Sequence, residues 1–241
     1  MLRNLLFYCL GIPLSIYWSL RMLRLDPAAS TSEDEDRPGK VWARALVRLL
    51  GLRIEADLSA LTPGGRYVFF CNHQSNIDIP ILYTALDGYS IRFVAKKSLF
   101  EIPVFGKAMH RAGHICIDRG NRRQAMKSLA AAVDVIQGGI DAVVFPEGTR
   151  NPDLDGMLEF KTGGAILALK AGLPVVPLVM CCTGELLPKG RLWFRPVKTI
   201  RIRALVPIEP GEFDLKEREA FTRAMRERML EAYTEMRREA A

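Results

Sequence analysis

The sequence contains only three histidines, and their spacing does not match a zinc site. It also lacks a P-loop and a dinucleotide-binding fingerprint. Both absences bear on chemistry, because the sequence lacks the histidine spacing of a zinc site and the two commonest phosphate-binding loops. We therefore expect any catalysis to need neither a bound metal nor a nucleotide cofactor.

The cysteines form no C-x-x-C motif, and their number, five, is odd. Most of them lie in apolar runs (Cys9, Cys71, Cys116, Cys181, Cys182). A disulfide framework would need paired cysteines in a secreted chain. We therefore expect reduced thiols in the core of a protein that faces the cytosol.

No nucleic-acid-binding motif is present, and the basic residues do not alternate with exposed aromatics. The net charge is nevertheless +7, from 34 basic and 27 acidic residues in a chain of 241. A basic balance favours an anionic partner. With nucleic acid set aside, lipid headgroups and phosphorylated substrates are the expected partners.

Charge is absent from residues 5–20, a run with arginines on both sides (Arg3, Arg21, Arg24). Sixteen helical residues reach about 24 Å, short of the roughly 30 Å hydrocarbon core. Gly11 and Pro13 also interrupt the run. We predict a membrane anchor that enters the bilayer, in preference to a full span. A cleaved signal peptide is a third interpretation, which the reduced cysteines disfavour.

Three regions follow from these patterns: an anchoring segment at 1–27, a polar linker at 28–39 and a catalytic domain at 40–241. The linker is rich in acidic residues and is expected to be a solvated hinge. Residues 41–50 have helical spacing, with one apolar face and a basic edge. That pattern is typical either of an interfacial helix or of a surface helix packed on a core.

Strand-like and helix-like runs alternate from residue 52 onward. The predicted strands are 53–55, 67–70, 91–95, 115–117, 142–145, 175–180 and 199–204, and the predicted helices are 80–86, 102–112, 122–137, 163–171 and 215–238. The alternation predicts an α/β fold with a mixed, largely parallel sheet covered by helices, preceded by a membrane-associated helical segment. The runs at 142–145 and 175–180 are apolar throughout, as in strands buried on both faces.

One short stretch carries the strongest chemical signal. His73 and Asp78 lie in residues 72–79, which we predict to form a loop between a buried strand and a helix that starts at Pro80. Histidine is the commonest general base, and a carboxylate on one ring nitrogen leaves the other free to take a proton. The alternative is structural: His73 caps a turn and Asp78 caps the helix.

A second turn follows the apolar run at 142–145. Its sequence is Phe-Pro-Glu-Gly-Thr-Arg, in which Gly148 permits a tight backbone and Arg150 can grip a phosphate with two hydrogen bonds. Glu147 is placed to orient a hydroxyl or an arginine; alternatively, Glu147 and Arg150 form a pair that closes the turn. Other candidate phosphate ligands are Arg119, Lys96 and Lys161.

Four blocks in order resemble the glycerolipid acyltransferases: residues 72–78 (H-x-x-x-x-D), 113–119, 145–150 and 175–178. The resemblance is strongest to the 1-acylglycerol-3-phosphate O-acyltransferases. It implies that a fatty acyl group passes from acyl-CoA or acyl-ACP to the free sn-2 hydroxyl of lysophosphatidic acid, giving phosphatidic acid. His73 and Asp78 would be catalytic. The phosphate would be bound by Arg119, Glu147, Gly148, Thr149 and Arg150, and the further substrate-binding candidates are Asn72, Ser75, Lys96 and Lys161.

The resemblance further implies membrane lipids as partners. If the donor is acyl-ACP, it also implies an acyl carrier protein. The expected location is the cytoplasmic face of a membrane, the inner or plasma membrane if the source is bacterial. Three alternatives stay open: a different acceptor (another lysolipid or glycerol-3-phosphate), an acyl-thioester hydrolase, and a non-catalytic module that binds anionic lipid.

Overall fold

A computed structural model describes residues 2–26, 28–117, 122–209 and 211–240. The described strands are β1 (Arg53–Asp57), β2 (Val68–Cys71), β3 (Ile91–Lys96), β4 (Ile115–Ile117), β5 (Asp141–Val144), β6 (Val175–Cys181) and β7 (Thr199–Ala204). The described helices are α1 (Leu2–Leu23), α2 (Ser32–Leu49), α3 (Asp78–Ala85), α4 (Lys97–Phe100), α5 (Phe105–Arg111), α6 (Arg122–Gln137), α7 (Thr162–Ala171), α8 (Thr183–Leu186) and α9 (Arg218–Ala240). Each predicted strand is confirmed to within two residues at either end.

The chain divides into two compact units, Met1–Gly51 with Ile79–Ile140 and Leu52–Asp78 with Asp141–Ala241. In the second unit, five strands form a sheet in the order β1-β7-β6-β2-β5. Every neighbouring pair in it is parallel except β6 and β7. The predicted α/β class with a largely parallel sheet is therefore confirmed.

The core of the second unit lies on β2, β5 and β6, whose residues are all buried. Helix α9 packs on β6 and α7, and its buried face includes Phe221, Met225, Met229 and Tyr233. Coverage on both faces explains why these strands read as continuous apolar runs. Because β2 runs parallel to β5 and to β6, the three strands end at the same edge of the sheet. The segments that follow Cys71, Val144 and Cys181 are thereby brought together.

In the first unit, β3 and β4 pair in parallel, and α1 packs on α2 and α5. His114 accepts the N–H of Phe93 at Nδ1, so Nε2 carries the ring proton and donates to the hydroxyl of Tyr83 over 3.1 Å. Desolvation and the charge of Arg92 lower the pKa of His114 to about 3. His114 is therefore a neutral structural residue.

The predicted linker is wrong for residues 32–39, which belong to α2. Thr31 caps this helix and exchanges hydrogen bonds with Asp34 in a capping box, so the acidic residues mark a helix start. Asp36 is buried and accepts from the guanidinium of Arg92 over 2.5 Å. That long-range ion pair has no local sequence signal. The outer boundaries of the three predicted regions stay predictions.

Helix α1 is longer than the charge-free run. Its 22 residues reach about 33 Å, and Gly11 and Pro13 lie inside it without ending it. Gly11 allows close packing, because a Cβ there would stand 3.2 Å from Leu46 of α2. By length and composition alone, one described helix, Arg3–Leu23, is long and apolar enough to cross a membrane.

Helix α2 packs its apolar face on α1, where the Trp42 indole N–H donates to Ser15 over 2.8 Å. Residues 41–50 were open to two interpretations, an interfacial helix or a surface helix packed on a core. The packing of α2 on α1 favours the second. All five cysteines are free, but the expected core location is wrong for Cys9, which is exposed, and only partly right for the half-buried Cys116 and Cys182.

Candidate active site

His73 and Asp78 are in direct contact. The Nδ1 atom of His73 lies 2.7 Å from Oδ2 of Asp78, and the His73 side chain is 17% exposed while Asp78 is fully buried. An ionised carboxylate only accepts, so Nδ1 carries the proton and Nε2 holds a free lone pair. The predicted base-and-orienter pair is thus geometrically formed, with Nε2 available to accept a proton.

The contact between His73 and Asp78 depends on where helix α3 begins, which is two residues earlier than the predicted start at Pro80. Helix α3 begins at Asp78, so Ile79 is helical although it precedes Pro80. A proline in the first turn is tolerated because its missing N–H has no helical partner there. Oδ2 of Asp78 also accepts the backbone N–H groups of Gln74 and Ser75, at 2.9 Å and 3.0 Å. These bonds fold the loop back over the helix start and aim His73 at the carboxylate.

The turn after β5 holds His73 from the other side. The His73 ring stacks on Phe145 with ring centres 4.0 Å apart. The His73 N–H donates to Oε1 of Glu147 over 2.8 Å, and the His73 carbonyl accepts the N–H of Asn151 over 2.7 Å. The two predicted motifs therefore form one site, joined through the backbone of His73.

Glu147 has a different role from the predicted phosphate contact. It is 1% exposed, and its second oxygen accepts the N–H of Leu158 over 2.9 Å. Burial, with the charge of Asp78 adding to it, raises the pKa of Glu147 to about 7 against the lowering effect of the two N–H donors. Both oxygens are committed to the backbone, so Glu147 positions the loop rather than binding phosphate.

The next three residues of this turn, Gly148 to Arg150, are partly or fully exposed. Gly148 has φ +71° and closes the turn by donating to the Phe145 carbonyl over 3.0 Å. Thr149 is exposed, and its hydroxyl accepts from Lys189 over 3.3 Å. Within the part of the chain that the structure describes, Arg150 has no hydrogen-bond or ion-pair partner. The alternative of a closed Glu147–Arg150 pair is therefore wrong, and the guanidinium remains available for a ligand.

Comparisons with known proteins show which family the chain belongs to. The family model described as Acyltransferase matches residues 53–181. A curated 1-acyl-sn-glycerol-3-phosphate acyltransferase of Salmonella typhimurium is 32% identical over 197 residues, which are 80% of this chain and 78% of that protein. The chain belongs to the 1-acyl-sn-glycerol-3-phosphate acyltransferase family.

Other members of the family match over a smaller share of their length. The Chlamydomonas reinhardtii member is 39% identical over 129 residues, which are 54% of this chain but only 38% of that protein. The crystal structure of the 1-acyl-sn-glycerophosphate (LPA) acyltransferase PlsC from Thermotoga maritima has the same fold. Its TM-score is 0.80 at 24% identity, over 98% of this chain and 95% of PlsC.

Two further predicted substrate contacts are corrected by the structure. The Asn72 side chain is buried and exchanges two hydrogen bonds, each 2.8 Å long, with the backbone of Met180. The Ser75 hydroxyl is fully buried and donates to the Leu187 carbonyl over 2.8 Å. In this member of the family both side chains tie the His73 loop to the end of β6 and to the end of α8, so neither is free to contact a substrate.

The other basic residues predicted to bind substrate are Lys161, Lys96 and Arg119. Lys161 is exposed at the start of α7, and its N–H donates to the Pro146 carbonyl, so it borders the turn. Lys96 is exposed at the end of β3 in the other unit. Arg119 lies outside the described residues, and its role stays a prediction. Among the described residues, no group of three or more His, Cys, Asp or Glu side chains is arranged to hold a metal ion.

Sequence reasoning missed three contributors to the site. Asn151 is buried and bonds both the Gly156 carbonyl and the Asp153 N–H, which fixes the loop behind Arg150. Tyr233 of α9 accepts from the side chain of Gln74, the residue after His73, over 2.7 Å. Lys189 reaches Thr149 from a loop 40 residues away. None of them lies in a motif, so no local signal marks them.

Proposed function

We propose that this chain transfers a fatty acyl group from an acyl thioester to the sn-2 hydroxyl of 1-acylglycerol-3-phosphate. The products are phosphatidate and a free thiol. The observation that carries the proposal is the 2.7 Å contact between His73 Nδ1 and Asp78 Oδ2, beside a turn that presents an unpartnered arginine. The family relatives named above carry this activity in their names.

His73 acts as the general base. Its Nε2 takes the proton of the attacking hydroxyl, and the hydroxyl oxygen adds to the thioester carbonyl carbon. As the tetrahedral intermediate collapses, the C–S bond breaks and the imidazolium returns its proton to the departing thiolate. Asp78 holds the imidazole in the required tautomer and stabilises its charged form. These steps balance in atoms and charge without a redox or metal step. The acyl thioester is therefore the only co-substrate proposed.

The phosphate of the acceptor binds at the turn after β5. Arg150 directly precedes Asn151, whose N–H bonds the His73 carbonyl, so the arginine backbone lies within one residue of the catalytic loop. Thr149 and Lys189, which are in hydrogen-bond contact, add a hydroxyl and a second cation at this turn. Fixing the phosphate there orients the sn-2 hydroxyl, and such positioning is worth several kcal/mol. Arg119 is proposed as a further phosphate ligand.

Helix α1 is proposed to attach the enzyme to the cytoplasmic face of a membrane. One side of α1 packs on α2 through Gly11 and Ser15, whereas Leu5, Leu10 and Ile12 are 60%, 50% and 56% exposed. An apolar face of this kind favours burial among lipid tails. Removal of residues 1–30 is expected to move the protein toward the soluble fraction while activity on detergent-dispersed substrate partly survives.

The test is thiol release by the full chain in detergent, with palmitoyl-CoA or palmitoyl-ACP as donor. The acceptors are lysophosphatidate, glycerol-3-phosphate, lysophosphatidylcholine or water alone. We expect release that depends on lysophosphatidate and falls on the order of 10²–10⁴-fold in His73→Ala. His110→Ala is the matched control, because His110 is an exposed histidine of the other unit.

Each other outcome supports a named alternative. Equal release with water alone indicates a thioester hydrolase, and preference for another acceptor reassigns the substrate. Absence of any turnover, with anionic-lipid binding unaffected by His73→Ala, indicates a non-catalytic lipid-binding module.

A further inference from the structure

Two adjacent cysteines lie at the end of β6. Cys181 is the last residue of the strand and is buried, whereas Cys182 is half-buried and is the N-cap residue of the short helix α8. Their sulfur atoms are 2.9 Å apart. The proposed reaction uses neither thiol, so the pair needs a separate explanation.

We propose that Cys181 and Cys182 form a vicinal dithiol that small-molecule disulfides, such as oxidised glutathione, convert reversibly into an intramolecular disulfide. The sulfur atoms need to approach by only about 0.9 Å to reach the bond length of roughly 2.05 Å. The consequence for acyl transfer, argued below, rests on the proposed function. Formation of the disulfide does not.

The half-buried Cys182 is the attacking sulfur. The hydrogen bond between the two thiols lowers the pKa of Cys182, and the positive charges of Arg237 and Arg201 lower it further, against the effect of burial. The same hydrogen bond and burial raise the pKa of Cys181. The thiolate is the nucleophile in thiol–disulfide exchange, so reaction begins at Cys182.

The exchange proceeds in two balanced steps. The Cys182 thiolate attacks one sulfur of oxidised glutathione, which breaks the glutathione S–S bond and releases one glutathione thiolate. Cys181 then loses its proton and attacks the Cys182 sulfur, which releases the second glutathione. The protein loses two electrons and two protons, and one oxidised glutathione becomes two reduced molecules.

The backbone makes such a disulfide easy to reverse. Adjacent Cα atoms are about 3.8 Å apart, below the roughly 4.4–6.8 Å found across ordinary disulfides. Cys182 also has φ +77°, one of two non-glycine residues with positive φ among those described. A strained disulfide is readily reduced, and this property is typical of regulatory disulfides and not of structural ones.

The dithiol is connected to the catalytic loop through the segment around it. Met180, which precedes the pair, holds Asn72 by two hydrogen bonds, and Asn72 precedes His73. After the pair, a Cβ at Gly184 would stand 3.1 Å from the Cβ of Gln74, and the Leu187 carbonyl accepts from Ser75. Closing a small ring at residues 181–182 changes the backbone between these supports. We therefore expect oxidation to displace His73 and to slow acyl transfer.

The experiment treats the full chain in detergent with oxidised glutathione and measures intact mass, peptide mass and activity. We expect one peptide that contains both cysteines to lose the mass of two hydrogen atoms. Activity should fall on the order of tenfold or more, since a displacement of about 1 Å at a catalytic group can cost that much. Dithiothreitol should restore both mass and activity.

Four comparisons make the result specific. Cys182→Ser should keep its basal activity and lose sensitivity to the oxidant, and Cys181→Ala should stop at the glutathione adduct of Cys182. Cys71, which is fully buried, serves as an internal control that should stay unmodified. Phenylarsine oxide, which bridges paired thiols, should bind the wild type and not Cys182→Ser.

Two outcomes would overturn the inference. If oxidation leaves the peptide of residues 181 and 182 unchanged in mass, and phenylarsine oxide binds both proteins equally, the pair is not a reactive dithiol. If the disulfide forms but activity is unchanged in a protein shown to be active, the proposed coupling to His73 is wrong. Because disulfide formation is read by mass, this test stays separate from that of acyl transfer.

Discussion

Replacement of Asp78 by asparagine tests the central contact of the site. The side chain keeps its size and one oxygen acceptor but loses its charge. In the native site, Oδ2 accepts from His73 Nδ1, Gln74 N and Ser75 N over 2.7, 2.9 and 3.0 Å. The amide oxygen can still accept from the backbone. If its NH₂ group turns toward His73, however, Nδ1 must accept and Nε2 must carry the proton, which removes the base.

The expected magnitudes follow from these contacts. A hydrogen bond to a charged group contributes about 1.5–3 kcal/mol and a neutral one about 0.5–1.5 kcal/mol, so losing the charge lowers the free energy of unfolding by roughly 1–3 kcal/mol. For a chain of this size, each kcal/mol lowers Tm by about 2–4 °C. Loss of the base should lower kcat on the order of 10²–10⁴-fold. Activity should therefore fall far more than stability.

The assay is thiol release with lysophosphatidate, alongside thermal melting in the same detergent. Asp57→Asn is the matched control, because Asp57 is an exposed carboxylate that also accepts from a nearby backbone N–H, that of Ser59. It should change neither quantity appreciably. A folded Asp78→Asn enzyme that keeps kcat within about threefold of wild type would refute the orienting role, since general-base loss costs at least 10².

Other predictions address the neighbouring residues. Arg150→Lys keeps the charge but loses the two parallel hydrogen bonds of the guanidinium, so kcat/KM for lysophosphatidate should fall. The slow hydrolysis of the acyl donor should change little. Equal loss of both rates with a large drop in Tm would mean that Arg150 supports the fold. Glu147 favours its protonated form in the folded state, with a pKa raised from 4.5 to about 7, so its contribution to stability is full below pH 4.5 and is lost as pH rises through 7. Glu147→Gln should remove that decline, at most about 3 kcal/mol, from the pH dependence of unfolding, and identical pH profiles would contradict the assignment. Gly106→Ala should destabilise by several kcal/mol, because its Cβ would clash with the Phe100 carbonyl oxygen, whereas Gly163→Ala, which meets no atom within 4 Å, should be neutral or stabilising; comparable melting curves for the two variants would disprove the packing argument.

The sequence alone determined the strands of the sheet and singled out His73 and Asp78, whose side chains the structure brings into contact. Strands such as β5 and β6 are continuous apolar runs because both faces of the sheet are covered, and this property is local to the run. His73 and Asp78 are recognisable because their spacing and flanking proline are local as well. The helix at residues 32–39 was missed although its Thr31–Asp34 capping box is also local, because the acidic run was interpreted as a solvated linker.

Only the tertiary structure decided the roles of the polar side chains around the pair. Asn72 has the same sequence neighbours whether it binds substrate or Met180, which is 108 residues away. Glu147 becomes a buried positioning residue only because the backbone N–H of His73, 74 residues earlier, points at its carboxylate. A buried polar group must find a partner, and that partner is set by which strand ends meet at the sheet edge. Motif spacing therefore singled out the His73–Asp78 pair, whereas long-range strand pairing determined which other polar residues hold it in place.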